Sequence, residues 1–368
     1  MRPRRRRERG IALLLVLWVF MILGVLALDF ARYMRDDAMA AVNLAEETQG
    51  YYVALAGMNR AIYDAERSRE EDTAAGANAT GGTQGPHTLD TDDDAVLVPP
   101  DGEWHEGDFA GGRWSVRMTD EGSRIPINKV DFDVLKPVIT NLVQAHIALT
   151  GRLTTGLDRR TAGRIDTVVD SILDWRDRGN EARPHGAESD FYLKRRVPYR
   201  SKNAFFDSAE ELLLVRGVTP ELFYGEAGVP GMRDVFSFIN WSGEVKLNVT
   251  TASPAVLQAL LGIDAAAVAD LVEQRTGGVP IIDQLKAQLV SAGYPTLANL
   301  LVADQKPRIV RIQARADMTG EHNRSRVEVV ADLGGDLNEG TRILRWLDRA
   351  PWEGAPPGAP STNQGDDA

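Results

Sequence analysis

The residues best suited to chemistry are oxygen donors in the segment from Asp174 to Asp190, which also contains Gly179 and Gly186. Carboxylate and amide oxygens are the ligands that Ca²⁺ prefers, and the ion takes about six to eight of them. Asp174 and Asp177 are three apart at an expected helix end, so they face the same side. The spacing does not fit an EF-hand. The candidate calcium ligands are Asp174, Asp177, Asn180, Glu188 and Asp190, with Glu181 as a further acid in the span.

The same acids have a second interpretation that needs no metal. Arg176, Arg178 and Arg183 lie among them, so the segment could be an acidic helix end and loop neutralised by ion pairs. Exposed acid-base pairs of this kind are common on protein surfaces. Spacing alone leaves both interpretations open.

Catalytic motifs find little support in the chain. Cysteine is absent, which excludes thiol nucleophiles, disulfides and thiolate metal sites. The sequence has no HExxH, no GxSxG and no phosphate-binding glycine loop. The five histidines stand in unrelated contexts, at positions 87, 105, 146, 185 and 322. We therefore expect no enzyme, although scattered Ser, His and Asp residues could still converge in space.

Two segments, residues 210–222 and 257–268, resemble helix-hairpin-helix units. In DNA-binding versions, the hairpin presents backbone N–H groups and basic side chains to phosphate. Here Asp264 follows the second hairpin and three alanines come after it, so the hairpin has no positive charge. The chain is acidic overall, with a formal net charge of −11. This pattern favours a helical packing module and no nucleic-acid partner.

The elements that must position these residues begin with an arginine-rich leader and an apolar run over residues 11–28. Eighteen helical residues span about 27 Å, close to the thickness of a bilayer's hydrocarbon core. Six arginines precede the run, so the positive-inside rule keeps the N-terminus cytoplasmic. No small-x-small cleavage site follows the run. The only plausible cut lies before it, between Gly10 and Ile11, as in a prepilin-type leader.

The rest of the chain predicts an α+β fold. There is no proline between Pro3 and Pro86, and helical spacing of apolar residues predicts one long helix over residues 11–67. An acidic flexible loop over 68–108 contains the solvated acids of 90–94. Alternation of apolar and polar residues predicts an antiparallel sheet formed by 109–130 and 300–350. Between these segments, residues 131–299 are expected to form an inserted helical domain. The Pro-, Gly- and Asp-rich tail 351–368 is expected to be disordered.

Four segments together resemble the K-type minor pseudopilins of type II secretion systems. The leader junction at residues 9–14 is similar to the family's processing site, and residues 114–128 resemble its strand-turn-strand entry to the sheet. Residues 174–192 are similar to the signature of its inserted domain, and this match is the most specific. Residues 246–257 resemble a later helical motif. The resemblance implies a pilin-like long N-terminal helix on an antiparallel sheet with a large helical insertion.

Position five of the predicted mature chain carries further information. It is Leu15, whereas most pilins have a glutamate there that neutralises the N-terminal amine of a neighbouring subunit. An uncompensated charge in hydrocarbon is costly, so a subunit with leucine is poorly suited to join below another. The K-type family that the chain resembles shares this departure from glutamate and is placed at the pseudopilus tip.

The resemblance also implies partners and modifications. A prepilin peptidase would cut after Gly10, Ile11 would be N-methylated, and I- and J-type minor pseudopilins would form a tip complex on the inner-membrane secretion platform. In the family, calcium is associated with the inserted domain. The part of the chain after the membrane helix would be periplasmic.

Three alternatives stay open: a minor pilin of a type IV pilus, a membrane-anchored periplasmic nucleic-acid binder, and a single-pass periplasmic enzyme.

Overall fold

The structure is a computed structural model that describes residues 9–78, 98–149, 159–241, 243–303, 307–318, 324–334 and 340–348. The helices are α1 (Arg9–Asn78), α2 (Phe132–Leu149), α3 (Arg159–Arg176), α4 (Ser189–Tyr192), α5 (Pro220–Tyr224), α6 (Met232–Val235), α7 (Pro254–Leu261), α8 (Ala265–Thr276), α9 (Ile282–Ser291) and α10 (Pro295–Leu300). The strands are β1 (Trp104–Phe109), β2 (Gly112–Asp120), β3 (Ile125–Pro126), β4 (Gly225–Glu226), β5 (Val229–Pro230), β6 (Phe236–Ser237), β7 (Leu247–Asn248), β8 (Leu301–Val302), β9 (Ile309–Asp317), β10 (Arg324–Asp332) and β11 (Arg342–Asp348).

Helix α1 has two parts with different surroundings. From Leu13 to Leu44 its large apolar side chains are exposed, because no other part of the described chain contacts them. Further along, Val53, Ala54 and Met58 are buried against the sheet. A helix without proline can continue unbroken between these parts. One end of α1 is therefore free to contact something outside this chain, while the other belongs to the core.

The sheet is antiparallel and has the strand order β1-β2-β9-β10-β11. Alternate residues of its strands form an apolar face, on which Val116, Ala314 and Val327 stand in one row and pack toward α1. The helix approaches closely at Gly57, where an added Cβ would lie 2.8 Å from Val116 Cγ2. A side chain at position 57 would push α1 away from the sheet.

The helical domain has its own core, formed by apolar faces of α2, α3, α7 and α8 together with the shorter helices. Local signals start several of its helices. The Thr219 hydroxyl accepts a bond from Leu222 N, and Ser253 Oγ accepts one from Val256 N before α7. Both residues precede a proline at the first helical position, where a missing N–H costs nothing.

A buried polar junction joins the two cores. Arg311 of β9 donates from Nε to Glu121 Oε2 at 2.8 Å and from Nη1 to Glu328 Oε1 at 2.6 Å. Glu121 lies in the 3-10 turn after β2 and also accepts from Ser237 Oγ at 2.6 Å. Its neighbour Asp120 accepts from side chains of the helical domain, Asn248 Nδ2 and Thr251 Oγ1, both at 2.7 Å. Charged hydrogen bonds thus fix the helical domain to the sheet.

The α+β fold class predicted from the sequence is confirmed, and several boundaries differ. Helix α1 continues to Asn78, and β1 forms an edge strand where the sequence predicted a loop over 68–108. The hairpin between β1 and β2 turns at Ala110 and Gly111, both with positive φ. The acids at 90–94 and the tail 351–368 lie outside the described residues.

The junction between sheet and insertion is also displaced from the expected position. Strand β3 pairs in parallel with β6 rather than joining the large sheet, and Ile127 is buried in the helical core. At the other end, β8 pairs in parallel with β7. The helical domain therefore includes residues on both sides of 131–299, because short parallel pairs close its two connections to the sheet.

Candidate functional site

The candidate calcium segment begins at the end of helix α3. Apolar residues at helical spacing, including Ile165, Val169 and Ile172, bury one side of α3 in the helical core. Asp174 lies in the last turn of α3, on the opposite side from these residues, and it is fully buried as well. A buried carboxylate is costly unless it is paired, so its neighbours decide what it can do.

Arg183 supplies the charge opposite Asp174. Its Nη1 lies 2.6 Å from Asp174 Oδ1 and 2.6 Å from Asp177 Oδ2, so one nitrogen bridges both carboxylates. The backbone N–H of Arg183 also donates to Asp174. The Arg183 side chain is 36% exposed and therefore has room to leave. The guanidinium group of Arg183 therefore occupies the position in which a metal cation could neutralise Asp174 and Asp177.

Gly186 makes the close turn of this loop possible. An added Cβ there would lie 1.9 Å from Asp174 Oδ2, too close for any side chain. The loop therefore presses its backbone against the carboxylate, and a residue with a side chain would displace one of the two.

Glu188 brings a third carboxylate to the site. Its Oε2 accepts from Ser201 Oγ at 2.8 Å, while its Oε1 is buried without a hydrogen-bond partner. Burial raises the pKa of Glu188, and the negative charges of Asp174 and Asp177 raise it further. Burial likewise raises the pKa of Asp174, an effect that the bonds from Arg183 partly offset. Both shifts come first from burial, and at Glu188 the neighbouring negative charges add to it.

The other two candidate ligands are placed differently. Asn180 Oδ1 accepts from Asn203 Nδ2 at 2.9 Å, and Asp190 is exposed in α4. Across the described ranges, no three acidic, histidine or cysteine side chains already converge in a metal-binding arrangement. Arg183 thus joins Asp174 and Asp177, and Glu188 interacts with their charges, whereas Asn180 is hydrogen-bonded to Asn203 and Asp190 is exposed.

Sequence reasoning did not single out two residues that shape this site. Gly186 was noted only as a loop glycine, and its contact with Asp174 depends on the fold of the loop. Ser201 follows Glu188 by thirteen positions and gives no local signal. The partnership of Arg183 with the acids was one of the two interpretations, and it is the one visible in the structure.

At the N-terminus, Gly10 and Ile11 lie in the first turns of α1, and residues 1–8 lie outside the described residues. Leu15 is 60% exposed. The helical stretch Leu13–Arg67 contains a window of mean hydropathy 2.7 with no residue buried, which fits a membrane anchor.

The second hairpin is now visible as α7 and α8, which meet at 120°. Gly262 ends α7 in the left-handed region, and Asp264 Oδ1 accepts from Ala267 N at the start of α8. The carbonyls of Ala259 and Leu260 accept from Asn141 Nδ2 of α2, so the end of α7 packs on its neighbour. These contacts are those of a packing unit.

Comparison with known proteins gives consistent matches. The sequence model of a family described as "Type II secretion system (T2SS), protein K" matches residues 139–224. A curated Escherichia coli K12 protein, named provisionally as type II secretion system protein K, is 25% identical over 223 residues. That alignment covers 59% of this chain and 60% of the relative, so the chain spans about three-fifths of that relative's length.

A solved structure shares the fold. It is a chain from the crystal structure of the GspK-GspI-GspJ complex of enterotoxigenic Escherichia coli, matched with a TM-score of 0.54 at 13% identity. The match covers 86% of this chain and 99% of that one.

The chain shares with that solved structure a long N-terminal apolar helix that continues onto an antiparallel sheet, which a helical domain interrupts. Residues 139–224 and the curated relative both make this chain similar to protein K of type II secretion systems.

Proposed function

We propose that this protein caps the tip of the type II secretion pseudopilus and starts its assembly. The observation that carries the proposal is Leu15, an exposed apolar residue where a subunit inside the filament needs an acid. Without a carboxylate, the span cannot neutralise a neighbour's N-terminal amine in hydrocarbon. The subunit can then be first, with no other subunit above it.

The helical domain supports the same position. It extends from β3 to β8 and is fixed to the sheet by the buried bonds of Glu121 and Asp120. A rigidly held domain of this size would obstruct a subunit stacked above it. The protein acts by assembly in this account and catalyses no reaction.

The free face of α1 supports a role in a helical bundle. Its apolar residues between Leu13 and Leu44 are exposed, which in an isolated chain leaves a large apolar surface uncovered. Before assembly, the membrane would cover the first part. Afterwards, helices of I- and J-type minor pseudopilins would pack against it, extracted with it by the inner-membrane platform.

The N-terminal segment also indicates how the protein would be processed to its mature form. A prepilin peptidase would cut between Gly10 and Ile11 and expose Ile11 for N-methylation. The arginines before the cut keep the N-terminus cytoplasmic and place the body in the periplasm.

The processing step is tested by the mature N-terminus of membrane-expressed protein, measured by intact mass with and without prepilin peptidase. We expect peptidase-dependent loss of residues 1–10. An intact leader would instead indicate an anchored periplasmic protein. Complementation of a secretion mutant, and not of a type IV pilus mutant, distinguishes the pseudopilin from a minor pilin.

We further propose that the inserted domain binds Ca²⁺ through Asp174, Asp177 and Glu188. The donors are hard carboxylate oxygens, and Glu188 Oε1 is buried with no hydrogen bond. A divalent cation would replace the single charge of Arg183 and satisfy that oxygen. Asn180 and Asp190 would need loop movement to join the site.

Calorimetric titration of the metal-free full-length protein with Ca²⁺ tests this proposal. We expect binding that Asp174→Asn abolishes and that Asp207→Asn, an exposed acid outside the three, leaves unchanged. Binding unaffected by Asp174→Asn would assign the metal to another site.

A further inference from the structure

A basic segment stands out on this acidic chain. The chain has 53 acidic and 42 basic residues, yet the nine positions from Lys194 to Lys202 contain five cations and no acid. The segment follows α4 directly, beside the acidic site. Its charge is therefore opposite in sign to that of the protein as a whole.

Internal contacts use only part of this positive charge. Lys202 Nζ lies 2.6 Å from Asp207 Oδ2 and 2.8 Å from Glu211 Oε1, and Arg195 donates to Tyr199 Oη. The three remaining cations are exposed and form no ion pair within the described residues. We call them the basic ridge: Lys194, Arg196 and Arg200.

Apolar side chains that lie close in sequence to the basic ridge are also exposed. Val197 is 69% exposed, Phe205 53% and Leu193 41%. Single exposed apolar residues are ordinary, but several in and next to a cationic segment give that segment both charge and apolar contact area. A ligand that fits it needs negative charge together with apolar groups.

The surface is held in place from below. The Tyr199 ring stacks on buried Tyr192 with centroids 5.2 Å apart, and Tyr199 Oη donates to the Leu214 carbonyl at 2.6 Å. The Ser201 backbone N–H donates to Ser189 Oγ at 3.2 Å. A segment ordered before binding loses little conformational entropy when a partner arrives.

We infer that the basic ridge and its apolar neighbours bind an acidic segment of another protein in which acids alternate with apolar residues. An extended anionic membrane would also face the surrounding acidic body and be repelled by it. A narrow protein segment would contact only the ridge. Repulsion from acids more than about 8 Å away would be weak, because salt screens it at physiological ionic strength. Charge complementarity therefore favours the protein segment.

The test uses full-length protein in neutral detergent and a fluorescein-labelled peptide of alternating aspartate and leucine, followed by anisotropy. The combined variant Lys194→Glu, Arg196→Glu and Arg200→Glu should weaken binding at least about tenfold, since three exposed pairs are lost. The matched control reverses three cations elsewhere, Arg164, Lys286 and Arg345, with the same change in net charge. Binding by this control should stay within about twofold.

A second variant tests the apolar contribution without changing charge. Val197→Ser should weaken binding about threefold, because one exposed aliphatic side chain no longer packs on the peptide. This single surface change also keeps the inference testable should the charge-reversed variant fail to fold. Binding should fall as salt rises.

Three outcomes would overturn the inference: no binding of the peptide, equal loss in the ridge and control variants, or no effect of Val197→Ser. Vesicles rich in phosphatidylglycerol form a further arm. Ridge-dependent binding to them as tight as to the peptide would identify a membrane surface instead. None of these results depends on the position of the subunit in the pseudopilus, so the tip proposal is tested separately.

Discussion

At the scale of single residues, Glu121 is the acid whose charge the fold uses most. It is fully buried, and although burial alone would raise its pKa, Arg311, Arg124 and Ser237 lower that pKa to about 2. A lowered pKa contributes stability above the unfolded value, and that stability is lost as pH falls toward the folded value. The junction between sheet and helical domain should therefore weaken between about pH 4.5 and pH 2.

Glu121→Gln should lower the free energy of unfolding by about 3 kcal/mol, because it leaves a buried guanidinium short of one negative partner. Denaturant unfolding at neutral pH measures the change. Asp101→Asn, which breaks an exposed pair with His105, is the control and should cost less than about 1 kcal/mol. A small effect at Glu121 would show that the junction is held by packing alone.

Asp174 and Glu188 give the opposite pH dependence, because burial raises the pKa of each. A raised carboxyl pKa means that the folded state holds its proton longer, so stability falls as pH rises through the raised values. In the absence of calcium, we therefore expect the thermal unfolding temperature to fall as pH rises through this range. Saturating Ca²⁺ should remove it, whereas a loss unchanged by calcium would contradict the proposed site.

Gly186→Ala should weaken calcium binding about tenfold, because its Cβ would displace the Asp174 carboxylate. Gly163→Ala is the matched control on α3, since its added Cβ meets nothing within 4 Å. Calcium titration compares the two. Equal affinities would show that Asp174 is not a ligand.

At the scale of elements, the contact of α1 with the sheet depends on a glycine. Alanine normally stabilises a helix relative to glycine by about 1 kcal/mol. At Gly57 the added Cβ would meet Val116 and Trp114 at under 3 Å, so Gly57→Ala should instead destabilise the protein. Gly24→Ala, where nothing lies within 4 Å, is the control and should be neutral or stabilising. Thermal unfolding in detergent distinguishes them, and equal behaviour would contradict the close contact.

Some elements could be predicted because their signals are local. Apolar and polar residues alternate in strands β9, β10 and β11. Helices α5 and α7 each begin with a proline that follows a hydroxyl residue, Thr219 or Ser253. The edge strand β1 could not be predicted as easily, because its sequence is polar and contains Gly107. The turn at Ala110 and Gly111 was the available signal. The parallel pairing of β3 with β6 joins segments more than a hundred residues apart, which no local pattern encodes.

At the scale of the whole molecule, the two cores are tied together while one end of α1 stays free. The buried bonds of Asp120, Glu121 and Arg311 cross from sheet to helical domain. Among the described residues, the apolar side chains of α1 between Leu13 and Leu44 stay exposed and pack against no other element. The free end of α1 fits a membrane anchor, and in the proposed tip assembly other helices would pack against it.

The position of the protein in the pseudopilus tests the central claim most directly. Gold labelling of an epitope-tagged full-length protein, in cells that form long pseudopili, should place label at one end of each filament. Leu15→Glu supplies the missing acid and serves as the comparison for the role of position five. Label distributed along the shaft of filaments formed by the unmodified protein would contradict the account.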